Sequence, residues 1–283
     1  MKNINNKKIN SILAYPYVIW SILFIIVPLF IVLYFSFTEM VGFDYVFSLK
    51  QYRRLLNPQY GKILIRSLKL AFTSTLLCLV IGYPVAYIIS KMKSSKKGLL
   101  IMLFIVPMWM NFLLRTYAWL PILGKNGLVN NILGNFGLGP YELLYNEGTV
   151  LLGMVYNFLP FMILPIYTIL DKMDADIIAA AEDLGANRFH IFYKIIFPLS
   201  LPGVMSGITM VFMPAVSTFI ISNLLGGGNQ KLIGNLIEQQ FTSSSNWNFG
   251  SAISIIMMIV ILISMSIMNK FSDSDKEGGA AVW

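Results

Sequence analysis

The chain has 283 residues, of which 57% are hydrophobic and only 12% charged, with a mean hydropathy of +0.70. Soluble globular domains carry about 25% charged residues, so the composition excludes an ordinary water-soluble core and fits a bilayer. The single cysteine, Cys78, excludes an internal disulfide and a multi-cysteine metal site, and the net charge of +8 lies scattered in short loops rather than gathered into a nucleic-acid footprint.

A helix that crosses a membrane needs about 20 largely apolar residues. In chain order, the first such run is 12–37; it is too long for a signal-peptide core and no small-residue cleavage site follows it, so it is expected to be retained. Next, "SLKQYRRLL" (48–56) places Leu49, Tyr52, Leu55 and Leu56 at near-helical spacing, which predicts an amphipathic segment on the membrane surface. Further runs at 68–90, 99–120, 149–170, 201–225 and 251–269 bring the expected spans to six. Pro28, Pro84, Pro107, Pro160, Pro165 and Pro214 fall inside them, where membrane helices tolerate kinks. The reading is therefore an all-α integral membrane protein, a single transmembrane domain over 1–283.

Basic residues set its orientation. With the N-terminus inside, the inner segments hold twelve lysines and arginines and the outer loops six, which favours both termini in the cytoplasm. That topology puts the segment 171–200 on the cytoplasmic side, between the fourth and fifth spans. Its sequence "AAAEDLGANRFHIFYKIIFPLSLPG" (179–203) reads as two short helices. Ile177, Ala181 and Leu184 share one face at i, i+4, i+7. Gly185 stands where the first helix ends, free to take a positive φ, and Asn187 is a fair cap for the second. Phe189, Phe192 and Ile196 form a second apolar face, and Pro198 and Pro202 are expected to stop it. Such a helix–glycine–helix fits a groove on another protein, and equally fits a pair of helices tiling the membrane surface.

The segment resembles the "EAA" loop of ABC-importer permeases: Glu-Ala-Ala, three residues, Gly, nine residues, then Ile-x-Leu-Pro. Ala180, Ala181, Gly185, Ile195 and Pro198 match, while Ala179 replaces the glutamate and Phe197 the leucine. "VPMWMNFLLRTYAWLPILGKNGLVN" (106–130) is similar to the third span and following loop of permeases of the spermidine/putrescine group, and "MPAVSTFIISNLLGGGNQKLIGNLIEQQF" (213–241) is similar to the B-type permeases of that group. The resemblance implies a six-helix permease of the type I importer class in the bacterial plasma membrane. It implies docking on the ATPase through Ala180, Ala181, Asp183, Leu184, Gly185, Ala186 and Phe189. It also implies a second, C-type permease, two copies of an ATP-binding cassette ATPase and an extracytoplasmic polyamine-binding protein. The missing glutamate puts in doubt any ion pair made there. Related permeases carry iron, sulfate, molybdate and other small solutes, so these stand as alternatives.

No G-x-x-x-x-G-K-[ST] occurs, so ATP is expected to be used by the partner, and the chain is expected to be non-catalytic and to bind no cofactor itself. None of the six expected spans contains an aspartate or glutamate. A polycation would then meet aromatic faces and neutral polar groups: Trp109, Tyr117, Trp119 and Tyr156 for cation–π contact, and Asn157, Ser217, Thr218, Ser222 and Asn223 in place of water. Arg115 lies deep in the third expected span, where an unpaired cation is costly; a structural role, by snorkelling or by meeting a partner subunit, is expected of it. His190 has no ligand cluster around it. An ion-coupled secondary transporter would place ionisable residues at the midplane, often within a repeat, and a membrane enzyme would need a convergent constellation; neither is visible.

Overall fold

The computed structural model describes residues 15–42 and 44–278. The start of the first expected span (12–14) and Lys2, Lys7 and Lys8 lie outside the described residues. Helices dominate. In chain order they are α1 (Tyr15–Ser36), α2 (Lys50–Leu55), α3 (Pro58–Lys91), α4 (Ser94–Trp109), α5 (Phe112–Tyr117), α6 (Trp119–Leu123) and α7 (Leu128–Asn135). They continue as α8 (Glu147–Asp171), α9 (Ala175–Asp183), α10 (Arg188–Ser217), α11 (Ile220–Gly226), α12 (Ile233–Thr242) and α13 (Trp247–Gly278). Among the described residues, five helices are long and apolar enough to cross a membrane, and a bent pair raises the number to six.

That bent pair corrects the third expected span. Lys96–Trp109 and Phe112–Asn135 meet at 99°. The cause is local: Met110 has extended backbone, and the Asn111 side chain accepts from the N–H groups of Leu113 and Leu114, capping a new helix. Arg115 therefore sits one turn into a short helix after a break, not deep in a continuous span. A second correction concerns Pro198 and Pro202, which stop nothing. A π turn over Phe192–Ile196 leads directly into Phe197–Ser217, so both prolines lie inside one continuous helix, as membrane helices tolerate.

Contacts divide the chain into two compact units. The first comprises Met1–Gly61 with Leu236–Val260. Here α1 is apolar on all sides and its best apolar window has no buried residue, a surface suited to lipid. Two short antiparallel strands follow that the sequence reading did not foresee, β1 (Thr38–Val41) and β2 (Asp44–Phe47), with Thr38 opposite Phe47. Lys50 pairs with Glu39 and holds its carboxyl below the usual range. Asn248 ties the end of α1, donating to the carbonyls of Phe35 (3.1 Å) and Thr38 (2.8 Å). The surface helix forms as α2, but its buried residue is Gln51. Leu49 and Leu56 point outward, away from the protein.

The second unit comprises Lys62–Asn235 with Ile261–Trp283. Its core is the packing of α8 on α10. Gly203 and Gly207, one turn apart, let the backbones touch: a Cβ on Gly203 would lie 2.9 Å from the Pro165 carbonyl oxygen, and one on Gly207 2.8 Å from Met162 Sδ. Without a hydrophobic effect between helices in lipid, such small-residue contacts supply the association. Tyr83 of α3 and Ser200 of α10 add a buried hydrogen bond of 2.9 Å.

Candidate functional site

Two places in the second unit offer chemistry beyond packing. The first is the helix–glycine–helix at α9 and the start of α10. Asp174 caps α9 by accepting from Asp176 N–H at 3.0 Å. At the other end the Gly185 N–H donates to Glu182 O (2.9 Å) and the Ala186 N–H to Ala181 O (3.0 Å), with Gly185 at φ +80°. This is a Schellman closure, and its geometry asks for glycine. No atom lies within 4 Å of a Cβ built on Gly185, so the requirement there is purely one of backbone. Asn187 then caps α10 by accepting from the His190 N–H at 2.8 Å.

With its backbone closed, the loop turns apolar groups outward. Leu184 is 89% exposed and Phe189 74%, the latter stacked on Tyr193 at 6.5 Å. Ala180 and Asp183 are exposed, and Ala181 and Ala186 half-buried. The second apolar face expected from Phe189, Phe192 and Ile196 does not form as one surface. Ile191 and Ile196 are buried, Phe192 packs edge-on against Tyr83 and Tyr87, and Phe189 faces away.

The second place is a cavity of about 530 Å³. It lies where two spans break: after the α4–α5 bend, and between α10 and α11, where Thr218 is extended. Phe112, Arg115, Asn157, Phe161, Ser217 and Phe219 line it, with Thr218 beside them. Arg115 is only 7% exposed, and its Nε and Nη1 have no hydrogen-bond partner among the described residues. Asn157 donates to Gly153 O at 2.9 Å, while its buried Oδ1 has no partner.

The other expected path residues are dispersed. Trp109 is 83% exposed at the end of α4, and Tyr117 is exposed on α5. Tyr156 meets Trp119 edge-to-face at 5.3 Å. Ser222 and Asn223 belong to a scaffold centred on Asn235, which the sequence reading missed. Asn235 accepts from Ser222 (2.6 Å) and from the Leu232 N–H (2.8 Å), and donates to Phe219 O (3.1 Å) and Asn223 Oδ1 (2.6 Å). The hint available was an asparagine within the amphipathic run "LIGNLIEQQF". Among the described residues no group of three or more histidine, cysteine or acidic side chains is arranged to hold a metal.

Long apolar helices, a bent span, a cavity at two helix breaks and a capped, outward-facing loop together define a multi-pass membrane transport subunit. The chain belongs to the family of binding-protein-dependent transport system inner membrane components, whose sequence profile matches residues 4–277. It is 38% identical over 270 residues to the spermidine/putrescine transport system permease protein PotB of Haemophilus influenzae, covering 93% of each chain. The Escherichia coli K12 protein of the same description is 38% identical, over 86% of this chain and 90% of that one. Among solved structures, a bacterial ABC transporter involved in import of the acidic polysaccharide alginate superposes with a TM-score of 0.82 at 17% identity, covering 96% of this chain and 98% of that one. The same kind of transporter in complex with alginate pentasaccharide-bound periplasmic protein gives 0.80. These likenesses establish the type I ABC-importer permease fold, and the chain is a multi-pass component of the bacterial inner membrane.

Proposed function

We propose that this chain is one permease half of an ATP-driven importer of polyamines such as spermidine and putrescine. It pairs with a second, C-type permease and works with two ATP-binding cassette ATPase subunits and an extracytoplasmic polyamine-binding protein. Both termini and the 171–200 loop face the cytoplasm. The chain itself hydrolyses nothing and holds no cofactor; ATP is used by the partner.

The observation that carries this reading is the loop. Its backbone is closed by Asp174, Gly185 and Asn187, so the exposed Leu184 and Phe189 are held ready rather than disordered. A pre-organised apolar knob loses little entropy on docking. Ala180, Ala181, Asp183, Leu184, Gly185, Ala186 and Phe189 form the face that meets the ATPase, and a shift of that subunit pulls on α10, which begins at Arg188. Because α10 packs on α8 through Gly203 and Gly207, movement at the loop passes into the spans that line the cavity.

The solute is assigned from the polyamine permeases that the chain resembles over nearly its whole length. Trp109, Tyr117 and Tyr156 offer exposed ring faces, each cation–π contact contributing about 0.5–2 kcal/mol. Asn157 and Ser217 line the cavity with neutral oxygens, and Ser222 and Asn223 hold its neighbouring helices in place. Competition in cells carrying the whole transporter tests the solute. Excess spermidine or putrescine blocks labelled polyamine uptake, and sulfate, molybdate and ferric iron do not. Block by an anion and not by polyamines refutes the polyamine assignment.

A further inference from the structure

Among the described residues of the second unit, one buried cation has two unsatisfied donors. Arg115 is 7% exposed, yet Nε and Nη1 have no partner among the described residues. The nearest ring it faces among the described residues is distant, with the guanidinium carbon 6.0 Å from the centre of Phe112. None of the described ion pairs includes it. A guanidinium cannot shed its proton to escape burial, and a buried cation without a counter-charge is strongly unfavourable.

We propose that the cavity around Arg115 is a binding site for a carboxylate. The charge count comes first: one guanidinium and no other cationic or acidic side chain line the cavity, so a monoanion balances it and a dianion does not. The shape comes second, since a planar guanidinium offers paired donors matched to the two oxygens of a carboxylate. The C-terminal end of α10 at Ser217 brings partial negative charge into the same cavity, but a helix end carries only about half an elementary charge and its effect fades within a turn. The phenylalanine lining strengthens the pair by keeping the local dielectric low. Asn157 Oδ1 asks for a donor, and a volume of about 530 Å³ leaves space for a water between it and the carboxylate.

The carboxylate comes either from a side chain of the second permease or from a free small acid. Only the first source uses the paired-permease reading above. The experiment takes the full chain purified alone and, in parallel, the assembled transporter. Replacing chloride by formate at constant ionic strength raises the unfolding temperature of the chain alone by about 3 °C once formate reaches roughly ten times its Kd. Arg115→Leu abolishes the shift. Arg115→Lys keeps the charge with poorer donor geometry and needs roughly tenfold more formate.

In the assembled transporter the two sources separate. A side chain of the second permease makes the complex insensitive to formate, and Arg115→Leu then lowers recovery of that subunit several-fold. A free acid leaves the complex formate-sensitive and subunit recovery unchanged. A chain alone that ignores formate, or a formate shift that survives Arg115→Leu, overturns the site. If Arg115→Leu yields no folded protein, Arg115→Lys decides, and a formate dependence identical to wild type overturns it. None of these readouts involves polyamine uptake, so the site and the transported solute fail separately.

Discussion

In the loop from Asp174 to Ile191, every special backbone demand is met within a few residues: Asp174 and Asn187 cap the two helices and Gly185 closes the turn between them. What remains unsatisfied is apolar, with Leu184 89% and Phe189 74% exposed. In the cavity at the two helix breaks the balance is reversed. Phenylalanines pack the walls, and the unsatisfied groups are polar: the Arg115 guanidinium and Asn157 Oδ1. Each region leaves a different kind of group unsatisfied. The first asks for an apolar groove and the second for charge and hydrogen bonds. On the proposed function, the first would be met by the ATPase and the second by a carboxylate.

A change in shared packing should harm both regions together. In Gly203→Val the new Cβ would lie 2.9 Å from a backbone carbonyl oxygen that cannot move aside. Overpacking of this kind costs about 1–3 kcal/mol, or roughly 3–10 °C in unfolding temperature. Thermal unfolding in detergent, uptake and ATPase association should all decline.

Gly185→Val separates the regions. An L-residue in the left-handed conformation costs about 1–2 kcal/mol, and more when β-branched. The side chain meets nothing, so the strain stays within the loop and the spans keep their packing, while uptake and co-purification of the ATPase fall roughly tenfold, the equivalent of about 1.4 kcal/mol. Gly185→Asn, which enters that conformation more readily, should keep most activity. Full uptake by well-expressed Gly185→Val protein removes the docking role.

Tyr156→Leu acts on the transport side alone. It keeps bulk but removes the ring face and hydroxyl, and loses about 1 kcal/mol of cation–π attraction, so polyamine uptake should fall about fivefold. ATPase association and polyamine binding to the soluble receptor should not change. Ala179→Glu is the smallest change. The position is exposed, and a charge at an interface rim is worth at most about 1 kcal/mol. Uptake should stay within about twofold; a tenfold loss with normal assembly would show that the cognate ATPase has no complementary charge there.

The two regions also differed in how far they could be read from sequence. The loop was legible because its signals are local: Gly185 and Asn187 each specify a conformation through their own backbone and nearest neighbours. Its outward faces were not, because the inward turn of Phe192 depends on Tyr83 and Tyr87, about a hundred residues earlier. The six apolar runs were equally local, but the bend in the third was hidden. Pro107 hints at a kink anywhere in its turn, and the cap at Asn111 is one of several polar residues in a greasy stretch. The strands at 38–47 are too short for alternation to register. The cavity needed tertiary structure outright. Arg115, Asn157 and Ser217 are separated by 42 and 60 positions and meet only because two spans break at the same place.

The central claim, that this chain imports polyamine only as part of an ATP-driven complex, is tested most directly by reconstitution. Proteoliposomes containing this chain, the second permease and the ATPase, with binding protein outside and ATP inside, should accumulate labelled spermidine or putrescine. Proteoliposomes with this chain alone should accumulate none, and the purified chain should hydrolyse no ATP. Polyamine uptake by the chain alone, driven by an ion gradient, would contradict the account.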